Sequence, residues 1–230
     1  NWNLWMGPLN DPKIHYHPDL CPPVSLDPDK NEQLWGAWRW YCETGNGYPA
    51  DWGAHMYDIA QAALGMDGLG PVEYIPKGYN GAEWDTMKYA NGIIMQERPY
   101  TENTGAQGIK FIGDQGRLRV ARGHMECADS KMLKKQQESI GKGQYEVSSP
   151  HMQNFIDAIR SHTDPIAPVE YGTSTNTLCC LTNIARELNR PVRWNPATLN
   201  FEGDKEAAAH RLYYYEYRRP YRLPYLDKRC

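Results

Sequence analysis

The chain has 230 residues, a formal net charge of −3 and a hydrophobic fraction of 40%, which supplies a core for one large domain or two small ones. The slightly negative charge argues against a nucleic-acid footprint or a polybasic membrane patch, and no apolar run approaches the roughly 20 residues that span a bilayer. The chain contains 8 Trp and 16 Tyr but only 3 Phe. Because Trp and Tyr carry a polar group, this composition favours partly solvated surfaces such as sugar sites and interfaces.

Residues 1–29 contain six prolines, which deny regular structure and predict an extended N-terminal arm over about 1–30. Within this arm, His15 and His17 flank Tyr16, and two histidines two apart on an extended segment point to the same side. They could serve a metal or a sugar hydroxyl, or be ordinary loop residues. The aromatic segment 31–43 is interpreted as a short helix or irregular piece whose rings fill the core.

An acid and a histidine open the next predicted helix, which runs over 51–64 with Gly65 as its stop. Asp51 and His55 are four residues apart, a spacing that a helix places on one face. A carboxylate beside an imidazole can orient it for proton transfer near neutral pH. The glycines at 45 and 47, just before the helix, allow another backbone or a ligand to come close.

Strands are predicted next, at 72–76 and in two hairpins, one within 84–97 turning at Asn91-Gly92 and one over 109–120 turning at 113–116. Residues 124–146 are polar and are predicted to be loop or frayed helix. Helices return over 151–160, 172–188 and 204–215, and an extended basic-aromatic tail follows at about 216–230. Helices before and after a block of strands predict an α+β fold, with an open, mainly antiparallel sheet covered by helices on one face and a single domain over 1–230.

The cysteine content and the first residues of the sequence give indications of the cellular location and of where this chain lies in the gene product. The six cysteines form no CxxC or other metal-like pair, so the sequence predicts six free thiols, which favours a reducing compartment. A cytoplasmic location is therefore favoured, and a periplasmic one stays open because no true N-terminus is seen. The opening Asn-Trp-Asn reads like the middle of a protein, so Asn1 is not expected to be the first residue of the gene product.

Two other interpretations of the Asp51/His55 pair stay open. It could be a surface ion pair worth about a few tenths of a kcal/mol. Alternatively, Asp51, His55 and Asp58 could ligate a divalent cation, although no second Cys/His cluster completes such a site and no metal is expected. The sequence contains no GxGxxG after a predicted strand, no P-loop and no GxSxG, so it offers no dinucleotide site of its own.

Several segments, in order along nearly the whole chain, resemble one known family. They are WNLWMGP (2–8), WRWY (38–41), GNG (45–47), DWGAHMYD (51–58), GDQG (113–116), NFIDAIRS (154–161), NIA (183–185) and RPYRLP (219–224). This set is similar to the C-terminal domain of the glucose–fructose oxidoreductase / inositol dehydrogenase / MocA (Gfo/Idh/MocA) family, in its bacterial-type branch. The resemblance implies the substrate-binding and oligomerisation half of an NAD(P)-dependent oxidoreductase, with a dihydrodipicolinate-reductase-like fold and no Rossmann domain in this chain.

The resemblance also implies roles for particular residues. The family's acid-x-x-x-His motif falls on Asp51 and His55. His55 would take the hydroxyl proton of a sugar, polyol or derivative as hydride leaves the same carbon, and Asp51 would orient His55 or hold a substrate hydroxyl. Arg39, Tyr16 and His17 would bind the substrate.

The partners follow from the same family. NAD or NADP and the catalytic lysine would belong to an upstream Rossmann domain, with no cofactor-binding residue in this chain, and the open sheet face would form a homo-oligomer. No nucleic acid or membrane partner is expected. Redox-assisted glycoside cleavage stays open as the reaction. So do two other classes, a non-catalytic carbohydrate-binding or scaffolding module and a metal-dependent hydrolase or isomerase.

Overall fold

The computed structural model describes residues 1–10, 18, 20, 36–100, 107–121, 124–127 and 151–222. The chain divides into two compact units. The first comprises Asn1–Ala54, Pro71–Met95 and Cys179–Cys230, and the second comprises His55–Gly70 and Gln96–Leu178. Antiparallel sheets and helices together make this an α+β protein, which confirms the predicted fold class. Among the helices described, none is long and apolar enough to cross a membrane.

The secondary-structure elements are numbered in chain order. The helices are α1 (Trp2–Met6), α2 (Ala54–Leu64), α3 (His151–Ser161), α4 (Val169–Leu188) and α5 (Lys205–Ala208). The strands are β1 (Glu73–Ile75), β2 (Asp85–Lys88), β3 (Ile94–Glu97), β4 (Gly108–Gly113), β5 (Gly116–Ala121), β6 (His124–Cys127), β7 (Val192–Asn195) and β8 (Asn200–Phe201). Short 3₁₀ turns lie at Ala37–Trp40 and Tyr79–Gly81, and a π-helical turn lies at Pro49–Gly53.

A five-stranded sheet in the order β3-β2-β1-β7-β8 organises the first unit. Because side chains alternate along a strand, its two faces differ. Tyr74 pairs in register with Met87 and with Val192, and all three are buried. The neighbouring Glu73 pairs with Lys88 and Arg193, which carry charges on the opposite face. The sheet therefore has one apolar face and an opposite face, here called the charged face, on which these charges lie beside Ile75 and the buried Thr86.

Helix α4 supplies side chains to the core of the first unit beside the apolar sheet face. Leu181 and Ile184 are almost fully buried, and Arg186 donates from Nη2 to Asp85 Oδ2 on β2 at 3.1 Å. Burying two such aliphatic side chains stabilises the fold by roughly 1.5–3 kcal/mol each. This arrangement agrees with a sheet that a helix covers on its apolar side.

An arginine just after α4 ties this helix to α5. Arg190 donates from Nη1 to Asp204 Oδ2 at 2.6 Å and from Nη2 to Asp204 Oδ1 at 2.9 Å, a two-pronged pair with fixed geometry. Asp204 also caps α5, since its Oδ1 accepts from Ala207 N at 3.0 Å. The Arg190 hydrogen bond, aided by the helix-end amide, lowers the pKa of Asp204 below its ordinary value.

This lowered pKa predicts an acid-dependent loss of stability. The Asp204 carboxylate stabilises the fold above its unfolded pKa, near pH 4, and that contribution disappears as the pH falls through the folded pKa. We expect Asp204→Asn to be less stable than the wild type at pH 7 and the gap to narrow below about pH 4. Urea unfolding of both proteins between about pH 3 and pH 7 measures this difference in stability. A difference that does not change with pH would exclude the Asp204 charge as its cause.

The beginning and the tail of the described chain meet in the first unit. Arg218 donates from Nε to Gly7 O at 2.8 Å and from Nη1 to Asn3 Oδ1 at 3.1 Å. The prediction of an arm without regular structure is wrong for its first residues, because Asn1 caps the short helix α1 by accepting from Leu4 N. Most of the predicted arm, including residues 11–17 and 21–30, lies outside the described residues.

A three-stranded antiparallel sheet, in the order β4-β5-β6, belongs to the second unit. The apolar residues of α3 recur at helical spacing but are exposed: Met152, Phe155, Ile156 and Ile159 keep between 37% and 69% of their surface accessible. The second unit has a buried centre elsewhere, at Tyr57, Ala60 and Leu178.

Both predicted hairpins are present. Between β2 and β3, Gly92 adopts a φ of 88° and Asn91 Oδ1 accepts from Ile93 N at 3.1 Å. Between β4 and β5, Gly113 pairs with Gly116, which leaves the two-residue turn that the sequence predicts. The turn residues in the sequence were therefore sufficient to predict where both hairpins turn.

Two predicted segments are wrong. Residues 124–127 form strand β6 rather than loop or frayed helix, and residues 128–146 lie outside the description. Helix α5 ends at Ala208 instead of residue 215, because the chain turns so that Tyr213 can pack edge-on against Phe201 at 5.2 Å and Trp194 at 5.9 Å. The aromatic packing overrides the local helical pattern.

Candidate functional site

The two residues singled out by the sequence lie on one continuous helical run. Asp51 stands in the π-helical turn Pro49–Gly53 and is half-buried, and His55 stands in the first turn of α2 and is exposed. The prediction of α-helix from residue 51 is therefore wrong for the first turn, which is wider. Single π turns occur often at functional sites. Pro49 begins this turn, where its missing N–H is tolerated.

The loop before this helix depends on close backbone contact. A Cβ on Gly45 would lie 2.3 Å from Arg39 Cα, so only glycine fits there. Asn46 and Gly47 follow in the left-handed region, with φ angles of 62° and 73°. The prediction of close approach is confirmed for Gly45, where the approaching backbone is that of Arg39 in the same segment.

An asparagine on α4 fixes this loop. Asn183 is 5% exposed, and its Nδ2 donates to Asn46 O and to Asn46 Oδ1, both at 2.8 Å. Asn46 in turn donates from Nδ2 to Cys180 Sγ at 3.3 Å. No role had been predicted for Asn183, although a polar residue between the apolar Leu181 and Ile184 was the available signal, because buried polar groups need partners.

Two thiols in the first unit, Cys180 and Cys42, have raised pKa values. Burial raises the pKa of the Cys180 thiol, with the Asn46 hydrogen bond acting in the opposite direction. Burial and the nearby Glu187 carboxylate also raise the pKa of Cys42. Since the thiolate is the reactive form, neither favours covalent catalysis. The described cysteines Cys42, Cys127, Cys179 and Cys180 form no disulfide bond, and Cys21 and Cys230 lie outside the described residues.

Of the three predicted substrate-binding residues, the structure describes one. Arg39 stands in the 3₁₀ turn Ala37–Trp40 with its guanidinium over the Trp38 ring, 5.2 Å from the ring centre. Tyr16 and His17 lie outside the described residues. Arg39 and Asp51 both belong to the first unit, and the loop that contains Gly45 and Asn46 lies between them in the sequence.

Asp58, the other acid on α2, takes part in a hydrogen-bond chain within the second unit. Thr175 donates from Oγ1 to Asp58 Oδ1 at 3.1 Å, and Gln61 donates from Nε2 to Thr175 Oγ1 at 3.2 Å. This gives Asp58 a structural partner on α4. Within the parts of the chain that the structure describes, no group of three or more His, Cys, Asp and Glu side chains is placed to hold a metal ion.

Comparison with known proteins gives one match. Residues 8–223 match a family model described as the C-terminal alpha/beta domain of an oxidoreductase family, the second C-terminal type of Gfo/Idh/MocA. No curated protein and no solved structure matches the chain.

Proposed function

The chain belongs to the Gfo/Idh/MocA oxidoreductase family and contains its C-terminal alpha/beta domain, and on this premise we propose that it forms the substrate-binding half of an NAD(P)-dependent enzyme. The reaction proposed is hydride transfer at a CH–OH carbon of a sugar, a polyol or a derivative. Family membership supports the class of reaction, and the named residues and the substrate are our own assignment.

The single observation that carries the proposal is the placement of Asp51 and His55. Both lie on the helical run that follows the glycine loop, and the Asn183 hydrogen bonds hold that loop in place. A general base must be positioned on rigid structure to reach its proton. His55 is an exposed residue in the first turn of α2.

In the proposed mechanism, His55 handles the proton. During oxidation, a ring nitrogen of His55 accepts the proton of the substrate hydroxyl as the C–O bond becomes a carbonyl, and the same proton returns during reduction. Asp51 orients His55 or accepts a hydrogen bond from a neighbouring substrate hydroxyl. Arg39 provides a cation that holds a further substrate oxygen.

The nicotinamide cofactor is assigned to a different domain. In the described ranges the strands pair antiparallel, whereas the Rossmann fold holds a dinucleotide at a glycine-rich turn that follows a strand of a parallel sheet. We propose that NAD or NADP is held by a domain outside residues 1–230, where it accepts or supplies the hydride.

A cofactor titration tests this assignment. The natural polypeptide that carries this chain is expected to oxidise or reduce members of a sugar and polyol panel with NAD or NADP, followed by nicotinamide absorbance. Residues 1–230 alone are expected to bind neither NADH nor NADPH, followed by nicotinamide fluorescence. Tight binding by residues 1–230 would refute the assignment, and a wild type inactive on the whole panel would count against the proposed reaction.

We also propose that the charged face of the five-stranded sheet pairs with a second copy. Lys88 Nζ lies 2.8 Å from Glu73 Oε2 and Arg193 Nε lies 4.0 Å from Glu73 Oε1, so charges of both signs lie side by side. Such a surface can complement itself across a two-fold axis.

A charge reversal on this face tests the pairing. We expect the wild type to be a homo-oligomer and Arg193→Glu to shift it toward monomer, because like charges would then face each other. Arg160→Glu on α3 is the matched control, and light scattering after size-exclusion chromatography gives the mass. A monomeric wild type, or equal dissociation in both variants, would rule out this face.

A further inference from the structure

Four aromatic residues at 38–48 are exposed, and the sequence favoured burial in the core for the three of them that lie within 31–43. Trp38, Trp40, Tyr41 and Tyr48 keep between 38% and 47% of their surface accessible. The interpretation as core filler is therefore wrong for Trp38, Trp40 and Tyr41, since the buried core of the first unit uses Tyr74 and Trp194 instead. Large exposed aromatic residues in a cluster indicate a binding surface.

Two of these rings lie nearly parallel. The ring centres of Trp40 and Tyr48 are 6.0 Å apart and their planes differ by 24°. Each residue keeps 47% of its surface accessible, so stacking on each other leaves ring area open to solvent. An aromatic face is electron-rich, and it attracts the slightly positive C–H groups on one side of a pyranose ring.

The segment that carries the rings is held in place before any ligand arrives. Thr44 donates its hydroxyl to Trp38 O, and Gly45 packs directly on the backbone of Arg39. The Asn183 hydrogen bonds to Asn46 fix the other end of the loop. A surface ordered in advance loses little conformational entropy on binding, which favours affinity for a small ligand.

The segment that carries this surface is followed along the chain by Asp51, and both belong to the first unit. Tyr48 precedes the π turn that contains Asp51, and Arg39 stands between Trp38 and Trp40. We propose that Trp40 and Tyr48 stack on the C–H face of a cyclic sugar, which makes the preferred substrate a pyranose derivative rather than an open-chain polyol. The inference rests on the proposed function, and it adds a specificity-determining surface to that function.

A cyclic sugar fits these residues better than an acyclic one. A pyranose presents several C–H groups on one rigid face, and its hydroxyls project from the edge of the ring. An open-chain polyol would have to be ordered into such a shape, which costs conformational entropy. The preference therefore lies in the ligand's rigidity as well as in its chemistry.

Binding measurements on the natural polypeptide test the surface without requiring turnover. The probes are methyl glucopyranoside and sorbitol, followed by ligand-observed NMR and intrinsic tryptophan fluorescence. We expect the glycoside to bind more tightly than sorbitol, and Trp40→Ala to weaken its binding by roughly five- to tenfold. Trp40→Phe should restore most of the loss because it keeps a flat aromatic face.

A second exposed tryptophan serves as the matched control. Trp5 in α1 is 37% exposed, and the centre of its ring lies 4.4 Å from the ring centre of Trp2, on which it stacks. Trp5→Ala therefore removes a comparable ring elsewhere in the chain. Its glycoside binding should equal that of the wild type. Equal binding by wild type and Trp40→Ala, equal affinity for the two probes, no binding of either, or a change of oligomeric state in Trp40→Ala would each overturn the inference.

The outcomes also separate this inference from the proposed function. Glycoside binding that depends on Trp40, in a protein without nicotinamide-dependent turnover, supports the stacking surface and refutes the oxidoreductase assignment. Turnover that requires His55 but does not respond to Trp40→Ala in KM refutes the stacking surface and leaves the reaction intact.

Discussion

His55→Ala is expected to lower kcat of the natural polypeptide by about 10²- to 10⁴-fold, the range that a positioned general acid or base contributes. Without the imidazole, the hydroxyl proton must be transferred to water. Water is not held in position, and it is a much weaker base than an imidazole. The affinity for NAD or NADP should stay nearly constant, because the cofactor is assigned to a different domain. Steady-state kinetics with the best substrate of the panel, together with a cofactor titration, measure both quantities.

The matched control for this substitution is a histidine outside the site. His124 on β6 is exposed and lies 3.8 Å from Glu126, so His124→Ala removes an imidazole of similar accessibility. It should leave kcat within about twofold of the wild type, since it does not touch the proposed reaction. If His55→Ala retains the wild-type kcat, His55 has no part in the chemistry.

Gly45→Ala is expected to destabilise the first unit by roughly 3 kcal/mol, at the upper end of the cost of overpacking. The added methyl would lie 2.3 Å from Arg39 Cα and 2.7 Å from Arg39 C and O, and these are backbone atoms that cannot rotate away. The loop must therefore shift, and Trp38 and Trp40 would shift with it. Urea unfolding gives the stability, and intrinsic tryptophan fluorescence reports the rings.

The same substitution elsewhere provides the control. Gly172 lies in α4, where an added Cβ would meet no atom within 4 Å. Gly172→Ala should be neutral or stabilise the protein by about 0.5–1 kcal/mol, because alanine favours helix more than glycine does. A Gly45→Ala protein as stable as the wild type would mean that the loop does not pack on Arg39.

The sequence predicted the parts of the fold that depend on local chemistry. Asn91-Gly92 located a turn because few residues adopt a positive φ, and the apolar spacing of Leu181 and Ile184 predicted the long helix. Strand β6 was missed because His124, Met125 and Glu126 are all exposed, so no two-residue alternation of burial marks this strand. The shortening of α5 depended on a distant aromatic contact that no local pattern contains.

The candidate site was predicted in part. The four-residue spacing of Asp51 and His55 is compatible with both α and π helix, so the wider turn could not be inferred from it. The aromatic residues before the loop were interpreted as core, because composition does not tell which rings the sheet and α4 will cover. The Asn183 contact joins two distant segments, and one sequence alone carries no record of such a pair.

The hydrogen bond from Asn183 to Asn46 spans 137 residues of sequence. Contacts of such separation require a large loop to close first, so they form late in folding. During synthesis, the loop that carries the aromatic rings cannot reach its final geometry until residue 183 has left the ribosome. A nascent chain ending before that point should therefore keep residues 36–48 accessible to a protease, and the substrate surface should mature only when most of the chain has been made.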